Sequence, residues 1–348
     1  MLRLIVMKYS NWLVKFLPLL VFVFLLLSTF LTWKITQSFA QRESDKIFQQ
    51  KVNLINTAIE YRLNSLLLAT DGFAGLVEGS EAVSRAEWSR AVRRVDLSAK
   101  HPGVSSVNYV EKVSSNDKQA FINELRSIPD LPTEERNQLT IFPDSNKPEY
   151  FVVKYLEPQE ERASALGYDI SSNEQRLQAL EKAALAGHSV STGRIELVTT
   201  QRSGFGFLTP VYSRPMDEQS TDEERLNNLE GFVYLIFRED IIFQKVLAPQ
   251  ALLVDLDIEI YASPTPEPQQ LIFDSVPANK IPEHEGDSSQ LQAMRRIKVD
   301  GTEWILLVSS EKDAHLLPSQ VALPKIVLIA GLLVNLTFLA TYLHFFKR

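Results

Sequence analysis

The chain has no cysteine among its 348 residues. That absence excludes disulfide bonds, thiol nucleophiles, cysteine-ligated zinc and iron–sulfur clusters. A basic excess is missing too. The formal net charge is -7, whereas a nucleic-acid partner calls for a positive surface, so none is expected. Histidines are few and scattered. His101, His188, His284, His315 and His344 lie more than four positions apart, and none belongs to a cluster at metal-ligand spacing. His284, between Glu283 and Glu285, reads as a solvated loop residue, and His101 before Pro102-Gly103 as a turn residue. A phosphate-binding loop is also lacking: Gly204-Phe205-Gly206 leads into neither a helix nor Lys-Ser/Thr. There is no Gly-x-Ser-x-Gly elbow. Acidic pairs such as Glu160-Glu161 and Glu223-Glu224 fall in polar segments and read as charged surface. Neither a catalytic apparatus nor a cofactor is expected.

Long apolar runs are present at both ends. Phe16 to Trp33 is nearly uninterrupted, and at ~1.5 Å per residue it can cross a ~30 Å hydrocarbon core. Arg3, Lys8 and Lys15 precede it without an acidic residue. The run exceeds a signal-peptide core, and Lys34-Ile-Thr-Gln follows where a small-x-small cleavage site would stand, which favours an uncleaved anchor. Ile326 to Phe346 is a second span, closed by Lys347-Arg348. Its Gly331 and Asn335 share a helix face, a spacing that chance explains better than packing does. Positive charge at both ends predicts cytoplasmic termini, residues 1–15 and 347–348, in an inner (cell) membrane protein with a periplasmic region between spans 16–33 and 326–346.

Lys34 to Leu68 contains neither proline nor glycine, and Phe48, Val52, Ile55, Ile59, Leu63 and Leu66 recur at helical steps. This predicts a stalk helix over 34–69, either packed on its own domain or paired with the same helix of a second protomer. Gly75 and Gly79 predict a break over Leu76–Ser80. Ser84 with Glu87 forms a capping-box signature for a helix over Arg85–Ser98, ended by His101-Pro102-Gly103. A strand over Val104–Val113, a helix over Asp117–Arg126 and a strand over Phe151–Leu156 follow. Leu166-Gly167-Tyr168-Asp169 reads as a turn. A helix to Ala186 starts at a capping Asn173 and stops at Gly187. Strands are expected at Gly193–Thr199, Phe205–Tyr212 and Gly231–Phe237, a polar surface loop at Pro215–Leu229, and a short helix at Asp240–Leu247. Beyond a boundary at Ala248-Pro249, a smaller unit begins with the alternating strand Leu252–Tyr261. It continues with a strand at Gln270–Asp274, a polar insertion at Pro277–Ser289, and a hairpin of Leu291–Val299 with Trp304–Ser310 turning at Asp300-Gly301.

Several of these pieces carry a resemblance. Tyr155-Leu-Glu-Pro158, Leu166-Gly-Tyr-Asp169, the helix with Arg176 and Gly187, Thr192 and Thr209-Pro-Val-Tyr212 resemble the CHASE domain in order and spacing. That domain is the extracytoplasmic sensor of many bacterial receptors and of the plant cytokinin receptors. Glu87-Trp88, the run His101–Val110 and Gly231-Phe-Val-Tyr234 extend the resemblance over most of residues 70–250. It implies an α+β architecture: a long N-terminal transmembrane and stalk helix, tandem PAS-like antiparallel-sheet modules, and a C-terminal transmembrane helix. The distal module would be 70–248 and the membrane-proximal one 249–325.

The resemblance also implies a small-molecule pocket between helix and strands. It places Tyr109 and Tyr155 as stacking or capping residues, and puts Glu174, Gln175, Arg194, Val198, Leu208 and Thr209 in or near the lining. The plant receptors hold the purine edge with a helix carboxylate. Here that position falls on Gln175, or on Glu174 with a shift of one, and a polar strand threonine of theirs falls on Leu208, so cytokinin is not the implied ligand. The expected function is a membrane-anchored sensor of an unknown small molecule. It would act as a homodimer and pass its signal to an output domain, such as a histidine kinase or diguanylate cyclase, that is missing or lies on another chain, because no such signature occurs here and only two residues follow Phe346. The alternative is a structural or assembly protein such as a polysaccharide chain-length regulator, which favours long helices.

Overall fold

The computed structural model describes residues 2–128, 131–158, 165–248, 255–276, 290–299 and 302–346. The elements begin with α1 (Leu2–Glu78), α2 (Arg85–Val95), α3 (Leu97–Lys100), β1 (Val104–Ser114), α4 (Lys118–Arg126), α5 (Thr133–Gln138) and β2 (Glu149–Glu157). They continue with α6 (Glu174–Ala186), β3 (Val190–Glu196), β4 (Ser203–Tyr212), α7 (Asp222–Asn228), β5 (Leu229–Arg238) and α8 (Glu239–Leu247). The last are β6 (Asp257–Tyr261), β7 (Leu271–Asp274), β8 (Gln290–Val299), β9 (Thr302–Glu311) and α9 (Pro318–Phe346). The architecture is α+β, with a long helix at each end and two antiparallel sheets, ordered β2-β1-β5-β4-β3 and β7-β6-β9-β8.

Local chemistry accounts for most boundaries. α1 runs unbroken through Pro18, Gly72 and Gly75 to Glu78, inside the segment where the glycines predict a break. The capping box of Ser84 and Glu87 forms, and opens α2. Asn173 accepts the Arg176 amide at 3.1 Å and Gly187 closes α6 in the left-handed region. One element departs from expectation. Within Pro215–Leu229, read as a loop, Thr221 and Glu224 form a second capping box and start α7. The T-x-x-E signal stood in the sequence, masked by the acidic character of the stretch. The Asp300-Gly301 turn, the start of the strand from Leu252, Pro249 of the expected boundary, the insertion Pro277–Ser289 with His284, the pair Glu160-Glu161, and Lys347-Arg348 lie outside the described residues.

The chain forms two compact units. One comprises Met1–Lys51, Glu285–Leu291 and Ser310–Arg348. In it, α1 and α9 each contain a stretch long and apolar enough to cross a membrane. The two helices pack where Asn335 Nδ2 donates to Thr29 Oγ1 at 3.1 Å and to the Gly331 carbonyl at 2.7 Å, so the small-polar spacing is a packing face after all. Ser44 donates to the Lys312 carbonyl, and Phe48 stacks on His315 at 5.8 Å.

The other unit comprises Val52–His284 and Gln292–Ser309 and contains nearly all of both sheets. The buried side of α1, with Val52, Ile55, Ile59, Leu63 and Leu66, faces its interior. Glu60 accepts the Lys298 amide of β8 at 2.9 Å, and Glu78 accepts the Tyr212 amide of β4 at 3.0 Å. An aromatic cluster joins the two sheets: Trp304 of β9 lies 5.1 Å from Phe205 and 5.7 Å from Phe207 of β4, and Phe243 of α8 lies 5.5 Å from Phe273 of β7. On the opposite face of the five-stranded sheet a second core gathers α4, α6 and the Leu166–Ser172 segment around Leu125, Leu180, Leu208 and Tyr234.

Candidate functional site

The face of the five-stranded sheet that carries this second core also borders a small cavity with a few polar groups in a mostly apolar lining. Directly paired strand residues share a face, so Leu156, Asn108, Tyr234 and Leu208 stand in one row across β2, β1, β5 and β4. Above them lies α6, whose Arg176 points back to the sheet. Its Nε donates to the Tyr234 hydroxyl and its Nη1 to the Tyr168 hydroxyl, both at 3.4 Å, and Nη2 donates to the Glu196 carbonyl at 2.6 Å. The guanidinium also lies over the Tyr168 ring, 5.7 Å from its centre. Gly206 makes room for this arrangement, because a Cβ there would strike the Tyr234 ring.

The cavity has a volume of about 30 Å³. Asn108, Arg176, Tyr168 and Tyr234 supply its polar wall; Leu156, Ile170 and Val198 supply part of the apolar one. Arg176 is only 4% exposed. Burial opposes its charge, yet the Tyr234 and Tyr168 hydroxyls hold the guanidinium above its ordinary pKa. Burial pushes the Tyr234 hydroxyl up, so it stays protonated. Asn108 is fully buried; its Nδ2 donates to Ser106 Oγ at 3.1 Å while Oδ1 has no partner.

The Leu166–Asp169 segment is set by two devices. Gly167 has φ +85°, and any Cβ would strike the Thr140 carbonyl. Asp169, fully buried, accepts from the amides of Phe151 and Ser171 at 3.1 Å each and from Ser171 Oγ at 2.6 Å, and pairs with Lys147 Nζ at 3.0 Å. Together they fix where Tyr168 stands.

The eight residues expected to line a pocket do not share one place. Val198 lies in the wall of the closed cavity. Leu208 is fully buried in the core beside it. Tyr109 and Tyr155 pair across β1 and β2 on the other face, rings 6.0 Å apart, packed on Trp88 at 5.9 and 6.3 Å. Tyr155 donates to the Val83 carbonyl at 2.8 Å, and burial with Glu111 nearby raises the Tyr109 pKa. Thr209 shares that face and meets Ser189 Oγ at 2.6 Å. Arg194 is held by Glu239 at 2.9 and 3.0 Å and by Ser203 Oγ. Glu174 is exposed and accepts from Gln178. Gln175 lines an open cleft of about 480 Å³ with Thr192, Gln270 and Thr302. Sequence reasoning did not select Asn108, Tyr168, Arg176 or Tyr234 as site residues. All four nonetheless sit inside the motifs that carry the resemblance, which was the available signal.

A third recess, about 320 Å³, lies on the outer face of the second sheet beside Asp257 and Glu259. Burial, with Glu259 and Asp274 close by, pushes Asp257 up to about 6. A carboxyl whose folded pKa exceeds its unfolded one adds stability at low pH, and that stability is lost as pH rises through about 6. Asp257→Asn should therefore raise the melting temperature at pH 7.5 by about 2 °C, taking ~1 kcal/mol after allowing for its half-exposure. At pH 4 it should change little. Thermal melts of the two proteins across pH check this.

The CHASE domain family matches residues 81–273. No curated protein matches the chain. Solved structures similar to it include an extracellular ligand-binding receptor from Desulfohalobium retbaense, at 12% identity and a TM-score of 0.41, covering 80% of this chain and 40% of that one. The ligand-binding domain of the Pseudomonas fluorescens chemoreceptor CtaA, in complex with L-isoleucine, aligns at 11% identity and 0.45, covering 80% and 96%. That of the Pseudomonas aeruginosa chemoreceptor PctC, in complex with GABA, aligns at 14% and 0.41, covering 74% and 97%.

Proposed function

Because the chain belongs to the CHASE domain family, a family of ligand-sensing domains, we propose that it is a membrane-anchored receptor whose sensor lies outside the cell membrane. Its small-molecule site is the small cavity beneath α6, and α1 and α9 are its two anchors. Both termini are cytoplasmic, the distal sensor module spans 70–248, and the membrane-proximal module spans 249–325. The signal passes through the anchors to an output domain of the histidine kinase or diguanylate cyclase type. The observation that carries the reading is the cavity itself: inside the family-matched region, a buried arginine and a buried amide with a free oxygen share one enclosed space. Interiors seldom leave such groups without strong partners.

Receptor action accounts for the chain better than catalysis, since a sensing family and a small cavity with a few polar groups call for no reacting group. The assembly-protein alternative calls for an outer region of long helices, and here that region is built on two antiparallel sheets. Melting the full chain in detergent against a broad metabolite library tests the sensor reading. At least one compound should raise the melting temperature by about 2 °C or more; a library without any effect contradicts it.

The same proposal includes a homodimer, along a different stripe of α1 from the one the periodicity singled out. Leu54, Tyr61 and Leu68 stand seven residues apart and are 48%, 76% and 73% exposed. Ala58, Ser65 and Gly72 follow each by four. Large side chains alternating with small ones at heptad spacing make knobs and holes for another copy of the same helix. As the chain has no native cysteine, Tyr61→Cys should give a disulfide-linked dimer on mild oxidation. Leu68→Glu should weaken dimerisation about tenfold, by ~1.4 kcal/mol. A wild-type chain that stays monomeric at every concentration, with no cross-link through position 61, counts against the seam.

A further inference from the structure

The polar groups of the cavity define what can occupy it. Arg176 ends only on neutral acceptors: two tyrosine hydroxyls at the long distance of 3.4 Å and one main-chain carbonyl. Among the described residues no carboxylate lies within 4.0 Å of it. The Glu196 carboxylate acts on the guanidinium only from beyond contact distance. A buried guanidinium with no carboxylate in contact is costly, and its planar fork matches one. Both phenols can turn their hydrogens toward an arriving anion, changing from acceptors of Arg176 to donors to the ligand. Across the same cavity, Asn108 Oδ1 is a buried acceptor with no donor. The two needs are complementary, a negative charge at one wall and a hydrogen to give at the other.

Resting on the sensor reading above, we propose that the cavity receives a small organic acid that also carries a hydrogen-bond donor, such as a short α-hydroxy or α-amino acid. Its carboxylate would sit on Arg176 and its donor on Asn108 Oδ1. At about 30 Å³ the space holds two or three waters as it stands. A two- or three-carbon acid therefore enters by displacing the wall formed by Leu197, Val198 and Thr199, where the chain leaves β3 for the turn to β4. Val198 and Thr199 are only partly buried, so this wall is the one least held by core packing.

The test is a set of thermal melts on the full chain in detergent with matched small compounds. Glycolate, lactate, glycine and alanine carry both groups; acetate and propionate lack the donor; glycolamide and acetamide lack the charge. The expected order is acids with a donor, then plain acids by at least fivefold in affinity, with no shift from the amides. Arg176→Lys should weaken the acids tenfold or more. Asn108→Leu should erase the preference of glycolate over acetate, a ratio that a purely structural role of Asn108 would not move; this arm carries the test if an Arg176 variant fails to fold. Amides that stabilise as well as acids would overturn the carboxylate assignment and leave a sensor with another ligand. Acid binding unchanged in both variants would overturn it as well, as would no shift from any of these compounds, even if the broader library yields a ligand.

Discussion

Replacing Trp304 by alanine is expected to lower the melting temperature of the full chain by about 10 °C. Its ring is fully buried, and it meets Phe205 at 5.1 Å, Phe207 at 5.7 Å and Phe243 at 6.5 Å. Truncating such a residue removes both its transfer free energy and its packing partners, ~3–5 kcal/mol in all, which for a domain of this size is ~2–4 °C per kcal/mol. No polar bond offsets the loss, since the indole Nε1 has no partner to give up. Trp304→Phe keeps an aromatic in place and should recover more than half of the loss. The residue is also the largest of the contacts between the two sheets, beside Phe243 on Phe273 and the Ser191 and Arg194 amides on Thr302 and Gln270. Calorimetry of the alanine variant should therefore show the single transition broadening or splitting, as a joined pair of sheets becomes two loosely linked ones. A loss under about 2 °C with an unchanged transition would mean the aromatic cluster does not join them.

Asp169→Ala should be nearly as damaging, through a different cause. The buried carboxylate accepts two amides and one hydroxyl and faces Lys147 at 3.0 Å. Its removal leaves three donors and an ammonium group without their acceptor, a loss of ~3–5 kcal/mol. Asp169→Asn keeps one oxygen for the amides and should cost about half as much. The segment it fixes carries Tyr168, so both variants should also weaken ligand binding at the cavity, alanine more than asparagine. Melting curves measured with and without ligand separate the two effects. A stable Asp169→Ala protein would show that Gly167 and the surrounding core set the segment unaided.

How far the sequence foretold this depends on whether the signal was local. The capped helix from Asn173 to Gly187, the capping box at Ser84, and strands such as Val104–Ser114 follow from short-range chemistry, and the structure has them within a few residues. The Phe48–Leu66 stripe is buried as its period implies. Whether a stripe packs inward or pairs outward is not a local property, and the exposed seam of Leu54, Tyr61 and Leu68 is interleaved with it on the same helix. The site was legible in a similar, partial way. Positions transferred from the plant receptors depend on which sheet face a residue takes, and a shift of one residue reverses the face: Leu208 enters the inner core while Thr209 faces Ser189. Arg176, Tyr168, Tyr234 and Asn108 all stood inside the quoted motifs. What could not be read was that four separate motifs meet around one space, because that requires the order β2-β1-β5-β4-β3 and not neighbouring sequence.

Amide hydrogen exchange on the full chain, with and without the acids that stabilise it, tests the central claim most directly. Exchange should slow in three separate stretches, around Asn108, from Tyr168 to Arg176, and from Leu197 to Thr199, each of which contributes to the cavity lining. Protection confined to Ser191–Gly193 and Ala262–Gln270, along the open cleft, would contradict it and place the ligand elsewhere.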